Sequence, residues 1–568
     1  MRVRVRAGPA GRATAIGTGI GTGRTCCARA ATAGCDTSND EDDHLPTPQD
    51  GPGRAYRQQT PHSGRHFLPS HPSYHRRRRR STIGSSSPKP RRRKRDIVRS
   101  FVLRRLVPNA LRPDAHRTKT RRFMEGWYYR LTLPPSQGNA SFAFIFSIDD
   151  PVGRGGKRDG TDLSLSAAQV MGPDDGYIVQ TDRDDAKFWA WEASQGLGCT
   201  FEWEKDDDSG GDSDDHDIDS AEERNRMTTA MHPEEWRRRV RTGFQMLPTS
   251  LQGRLVGRDG TERDAVQLGV GNDHDTEDDD SIDHPTTTVT PAVAVCDFDM
   301  SIEPLAGWGD DQDGARQRST AGWLAGFAVF EPHWQVTLAD ARATGSVNWN
   351  GTLYNFTDAP FYAEKNWGSA FPSKWYWVQC NAFEGYDRLS VTAGGGTRKI
   401  PLGQTESLGM VSIHYDGVFY EGVPWTGSME WDVDTWGKWV LKGRCTSGER
   451  LFEAEVRATC DQPGVTLRAP TQKDGLAYFC RDSFLADTTL SLWALRWDDD
   501  AKDYVRIDGP PIIDCATSKQ GGVEVGGGPW WDTWKATSNM KQPMRSLVAF
   551  PYKLSRFRQK IFGARDQY

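Results

Sequence analysis

Residues 373–382 read SKWYWVQCNA. In this stretch Trp375, Trp377, Gln379 and Asn381 alternate with Tyr376, Val378, Cys380 and Ala382. An alternation of period two sends successive side chains to opposite faces and predicts a β-strand. SFAFIFSIDDP (141–151) repeats the pattern, with Phe142, Phe144 and Phe146 against Ala143, Ile145 and Ser147. Both segments carry apolar side chains on both faces. That suits strands with a packed outer side and an inner side facing a ligand.

Outward from these segments the chain shows many short strand patterns punctuated by Gly, Pro and Asp, which predicts an all-β sandwich or barrel. The Trp127 and Trp375 strands are each followed by another strand, so two similar β-barrel or sandwich units are expected. The expected division is a transit peptide and linker at 1–55, a first β unit at 60–340, a second at 341–545 and a tail at 546–568. PEEWRRRV, within Pro233 to Phe244, has acids first and bases last, as a helix dipole favours, and predicts a short helix. The glycine runs Gly394 to Gly396 and Gly526 to Gly528 lack the Lys-Ser/Thr of a phosphate loop and are expected as turns or bulges.

Composition narrows the function. The chain has 568 residues and a formal net charge of −5, which argues against nucleic acid as the main ligand. Its mean hydropathy is −0.69, so disordered polar segments are expected to dilute a normal core. The basic tract 69–121, with Arg76 to Arg80 and Arg91 to Arg95, reads as a disordered insertion, and the acidic tracts 206–219 and 273–283 as solvated loops. Residues 1–35 contain Arg but no carboxylate, the composition of an organelle transit peptide. No apolar run is long enough for a spanning helix, so any membrane contact is expected to be peripheral. The chain holds 21 Trp, 23 Phe and 15 Tyr, enough to line a large apolar pocket. Its cysteines form no C-x-x-C pair, no zinc or calcium motif occurs, and no Rossmann or G-x-S-x-G fingerprint is present. No metal or cofactor is therefore expected, and the cysteines beyond Cys35 are expected to be reduced and mostly buried.

Specific blocks go further than fold. TPHSGRHF (60–67), RRFMEGWYYRLTLP (121–134), STAGWLAGFAVFEPHWQV (319–336), APFYAEKNWGSAFPSKWYWVQCNAFEG (359–385), VTAGGG (391–396) and VEVGGGPWWDTWKATSN (523–539), with the 141–151 segment, resemble the tocopherol cyclase family. The basic tract that separates the first two blocks departs from the family's pattern. The resemblance implies a plastid enzyme of vitamin E biosynthesis, an intramolecular lyase, with two lipocalin-like β units. It implies cyclisation of a phytyl-substituted benzoquinol to a chromanol, without metal or nucleotide. It also implies a peripheral lipid surface, plastoglobule or inner envelope, as partner. A non-catalytic prenylquinol carrier and a hydratase that adds water instead remain open alternatives.

The chemistry sets its own demands. An alkene must be protonated, the tertiary cation stabilised, water excluded, and the phenolic oxygen held close. A carboxylic acid can serve near neutral pH once burial raises its pKa. Glu364 in AEKNWG is the first candidate acid, Glu125 in MEGWYY the second and Asp482 a weaker third. His333 is expected to orient the quinol hydroxyl or take its proton. Trp127, Tyr128, Trp334, Trp367, Trp375 and Trp377 are candidate cation-stabilising rings. Gln379 and Asn381 are candidates to hold the quinol oxygens.

Overall fold

The computed structural model describes residues 123–550 apart from 151–163, 185–186, 192–194, 205–229, 260–292, 310–319, 321–331, 400–404, 472, 528–531, 539 and 541. These residues all belong to one compact unit, Ser63–Tyr568, separate from Met1–His62. The expected transit peptide, basic tract, acidic loops and the tail beyond 550 lie outside the described residues.

Two sheets account for nearly every described element. The first holds β1 (Met124–Thr132), β2 (Ser141–Asp149), β3 (Leu165–Met171), β4 (Tyr177–Asp182), β5 (Phe188–Ala190), β6 (Leu197–Trp203), β7 (Val240–Leu247), β8 (Ser250–Asp259), β9 (Val293–Ala306), β10 (His333–Trp349) and β11 (Thr352–Gly368). The second holds β12 (Trp375–Cys380), β13 (Leu389–Lys399), β14 (Thr405–Tyr415), β15 (Val418–Gly422), β16 (Ser428–Val433), β17 (Lys438–Ser447), β18 (Arg450–Thr459), β19 (Val465–Thr471), β20 (Gly475–Asp498), β21 (Asp503–Arg506), β22 (Ile513–Gly526) and β23 (Trp534–Ser538).

Both sheets close on themselves. The first runs β4-β3-β2-β1-β11-β10-β9-β8, and β4 pairs back onto β8 to complete a ring. The second runs β15-β14-β13-β12-β22-β20-β18-β17, and β15 pairs back onto β17. Closure removes the unpaired edges that an open sheet would expose. The expectation of an all-β chain with two barrel-like units holds. The chain passes from one sheet to the other at 369–374, between Gly368 and Trp375, and not at the expected 340/341 boundary. The reason is pairing: β10 and β11 hydrogen-bond to each other and to β9 and β1, which commits them to the first ring.

Each ring is filled by its own side chains. Trp127, Tyr129 and Leu131 of β1 and Phe142, Phe144, Phe146 and Ile148 of β2 point into the first core. Phe146 stacks on Phe244 with ring centroids 4.0 Å apart. In the second ring Tyr376, Val378 and Cys380 of β12 point inward. The opposite faces of the same strands meet in a third cluster between the rings, with Tyr128 and Ala143 from one side and Trp375 and Trp377 from the other. Strand alternation thus generates three cores from two sheets.

Two local expectations are corrected. The helix is α1 (Pro233–Arg239), and the following Val240–Leu247 is strand β7, because Gly243, Phe244 and Met246 pair with β6 and β8. Gly394 to Gly396 are not a turn but sit inside β13, opposite Trp377, Tyr376 and Trp375. At Gly395 the Tyr376 ring occupies the space a side chain would need: a Cβ there would lie 2.5 Å from it. Gly526 closes β22 in the same way, 2.0 Å from the Trp375 ring, and Gly527 turns with φ +86°. Cys199, Cys296, Cys380, Cys445, Cys460 and Cys480 are buried free thiols, while Cys515 is exposed.

Candidate active site

The space between the two rings contains a cavity of about 220 Å³. The first ring contributes Tyr128, Trp334 and Glu364 to its wall, and the second contributes Trp375, Trp377 and Glu524. The cavity therefore lies mainly against the outer faces of both rings, not in a barrel interior as the sequence suggested, because aromatic side chains already fill the interiors; Trp127 and Tyr376 of those interiors also line it.

Parity along β11 decides which carboxylate reaches the cavity. Tyr362, Glu364 and Asn366 face the inter-ring layer, whereas Phe361 and Ala363 face the first core. Glu364 is buried, and its Oε2 accepts the Tyr362 hydroxyl at 2.6 Å, the Trp334 indole at 2.8 Å and the Trp377 indole at 3.0 Å. Asn366 Nδ2 donates to Oε1 at 3.3 Å. Burial raises the Glu364 pKa above the ordinary carboxylate value, and these hydrogen bonds oppose the rise.

Glu125 occupies the other parity. It pairs with Lys365 in a buried ion pair on the first-core side, and it does not line the cavity. Lys365 Nζ lies 5.4 Å from the Trp127 ring centroid and 5.2 Å from that of Trp367. Trp367 likewise stays off the cavity wall and stacks on His333, with centroids 4.9 Å apart. His333 itself is buried and lines the cavity, as do Trp127, Tyr128, Trp334, Trp375 and Trp377.

Gln379 and Asn381 do share the Trp375/Trp377 face, but the cavity ends at Trp377. Beyond it the buried Arg130 guanidinium donates to Gln379 Oε1 at 2.5 Å and to the Gln379 carbonyl at 3.0 Å. Asn381 donates to the Phe361 carbonyl at 3.1 Å. Both amides are therefore engaged in joining the rings, away from the cavity.

One carboxyl in the wall was not singled out from the sequence. Glu524 on β22 lies opposite Trp377 on one side and Asp482 on the other. Its Oε1 accepts the Trp375 indole N–H. Burial pushes its pKa up to about 7, and the Glu364 carboxylate contributes to the rise. The available signal was an acid between two valines, Val523-Glu524-Val525, in a strand otherwise free of charge there. Asp482, the weaker candidate, is fully buried behind Glu524 and accepts the Tyr128 hydroxyl at 3.4 Å. Burial, with Glu524 next to it, holds its pKa well above the usual range.

Comparison with known proteins gives the family. Residues 121–527 match the family described as tocopherol cyclase-like. A probable chloroplastic tocopherol cyclase of Oryza sativa subsp. japonica is 37% identical over 75% of this chain and 80% of its own length. A chloroplastic tocopherol cyclase of Zea mays is 36% identical over 76% of this chain and 80% of its own. Among solved structures, a putative AttH from Nitrosomonas europaea aligns over 73% of this chain and 94% of its own at 13% identity and a TM-score of 0.28. Kievitone hydratase from Nectria haematococca aligns over 72% of this chain and 89% of its own at 10% identity and a TM-score of 0.30. The match to most of the chain, with relatives above one third identical, makes this protein a member of the tocopherol cyclase family.

Proposed function

We propose that this enzyme closes the chromanol ring of a tocopherol by cyclising a phytyl-substituted 1,4-benzoquinol. One observation carries the reading: a buried carboxyl pair, Glu364 and Glu524, stands in a cavity walled by Trp127, Tyr128, Trp334, Trp375 and Trp377. A carboxylic acid there protonates the alkene carbon nearer the ring. The tertiary cation forms next to electron-rich rings, each desolvated contact contributing about 0.5–2 kcal/mol. The phenolic oxygen bonds to that cation and loses its proton. A cavity walled mainly by apolar groups keeps out the water that would give a tertiary alcohol instead. His333, on the same wall, orients the quinol hydroxyl. The reaction moves protons within the site and has no net redox change.

The relatives named as chloroplastic and the Arg-rich, acid-free first 35 residues support action in the plastid. A prenylquinol dissolved in lipid would be drawn from a plastoglobule or inner-envelope surface, reached peripherally.

The test is direct. The full chain is supplied with reduced 2,3-dimethyl-6-phytyl-1,4-benzoquinol and the products are separated by chiral chromatography. A single chromanol enantiomer without added metal or nucleotide is expected. Racemic chromanol at the enzyme-free rate rejects the reading, as does binding without product. A tertiary alcohol would place the chain among hydratases.

A further inference from the structure

Trp375 and Trp377 stand two residues apart on one face of β12, roughly 7 Å along an extended strand. Each gives its indole N–H to a different cavity carboxyl, Trp375 to Glu524 and Trp377 to Glu364. The two acids belong to different rings, Glu364 to β11 and Glu524 to β22. One strand's pair of indoles thus ties together two cavity carboxyls, one from each ring.

Their hydrogen-bond environments are unequal. Glu364 Oε2 is met by an O–H and two indole N–H groups. An indole can only donate, so these partners require an acceptor oxygen and favour the carboxylate. Glu524 receives, among the described residues, one such bond, from Trp375. Across the ladder it faces Asp482, a third buried carboxyl, and ionising Glu524 would put a second negative charge out of water near the Glu364 carboxylate. Tyr128 and Cys480 complete the titratable groups around it. Arg130 acts on the neighbouring Asp482 and is hydrogen-bonded to Gln379 and the Gln520 carbonyl.

Building on the cyclase reading, we infer that Glu524 is the proton donor to the alkene and Glu364 the acceptor of the phenolic proton. The step balances. The Glu524 O–H bond breaks as a C–H bond forms at the alkene carbon nearer the ring. The π electrons leave a tertiary cation at the other carbon. The phenolic oxygen forms its C–O bond there, and its proton passes to Glu364. Glu524 ends as carboxylate and Glu364 as acid. Transfer of that proton back to Glu524 through water, once the product has left, resets the pair. No oxidant or reductant enters.

The roles are separated by quinols of different phenol acidity, assayed on the full chain. A general acid or base of this kind is worth about 10²–10⁴ in rate. Glu524→Gln is expected to lower kcat at least about 100-fold, with quinol binding, read by tryptophan quenching, little changed. Glu364→Gln is also expected to lose rate, but a ring-chlorinated quinol, whose phenol sheds its proton more readily, restores much of it. The same quinol leaves Glu524→Gln slow. Full activity of Glu524→Gln overturns the assignment, and so does rescue of Glu524→Gln in place of Glu364→Gln. If Glu524→Gln does not fold, the unmodified chain decides: its kcat must fall as pH rises through about 7, where Glu524 loses its proton, and a rising limb there rejects the proposal. Failure of the unmodified chain to make any chromanol would instead reject the cyclase reading itself.

Discussion

Trp377, on the first strand of the second ring, donates its indole N–H to Glu364, on the last strand of the first ring, at 3.0 Å. The bond crosses from one sheet to the other at the place where the sequence between them is shortest, 369–374. It couples the assembly of the two rings to the electrostatics of the site. The first ring supplies Tyr362, Trp334 and Asn366 as donors to Glu364, and the second ring adds Trp377.

Replacing Trp377 by Phe keeps a ring and removes that donor. A hydrogen bond to a buried charged group is worth about 1.5–3 kcal/mol, or roughly 10- to 150-fold in rate if the whole of it is lost from the transition state. The indole holds the Glu364 pKa down, so its loss lets that pKa rise further. Glu364 then keeps its proton to higher pH, and the loss of kcat should be greatest at low pH. Steady-state rates from pH 5 to 9 for W377F and the unmodified chain check this.

The buried Glu125–Lys365 pair is read as a structural link within the first core. Lys365→Met leaves Glu125 without its partner in a dry environment. Breaking such a pair from one side costs about 3–5 kcal/mol. The double variant E125Q/K365M should recover much of that loss and retain cyclisation. Urea unfolding of the three proteins, with the chromanol assay on the folded ones, measures both. Loss of chemistry in the stable double variant would return Glu125 to the catalytic group.

Stability should depend on pH through Glu524. Its folded pKa of about 7 lies above the ordinary Glu value of 4.5. The folded state binds the proton more tightly, so the contribution is fully present below about 4.5 and is lost as pH rises toward 7. At about 1.36 kcal/mol per pKa unit this comes to roughly 3 kcal/mol. The unmodified chain should therefore lose more stability than E524Q between pH 4.5 and 7.5. Parallel denaturant titrations at those pH values, giving equal losses, would contradict it.

Period-two alternation made much of this molecule legible from its sequence. Tyr376, Val378 and Cys380 turn one way and Trp375 and Trp377 the other, as 373–382 predicts. The sequence set Glu364 beside Tyr362, Trp367 and Phe371, its neighbours in the chain; of these Tyr362 meets its carboxyl, and the indoles that do so are Trp334 and Trp377. Along β11 the same alternation separates Glu364 and Asn366, which reach the cavity, from Lys365 and Trp367, which do not; Trp127 and His333 line the cavity although they share the face of Glu125 and Trp367. Parity alone does not say which face of a strand meets a second barrel, since both faces here are apolar.

By itself, then, the amino-acid order determined the strand pattern and the family, and offered Glu364 as a candidate. Ring closure, the passage at 369–374, and the cavity between the rings were decided by tertiary structure. So was Glu524, whose partner Trp375 is 149 positions away. The physical reason is that local alternation is written in neighbouring residues. Burial of a carboxyl, and hence whether it keeps its proton, depends on which distant strands close over it.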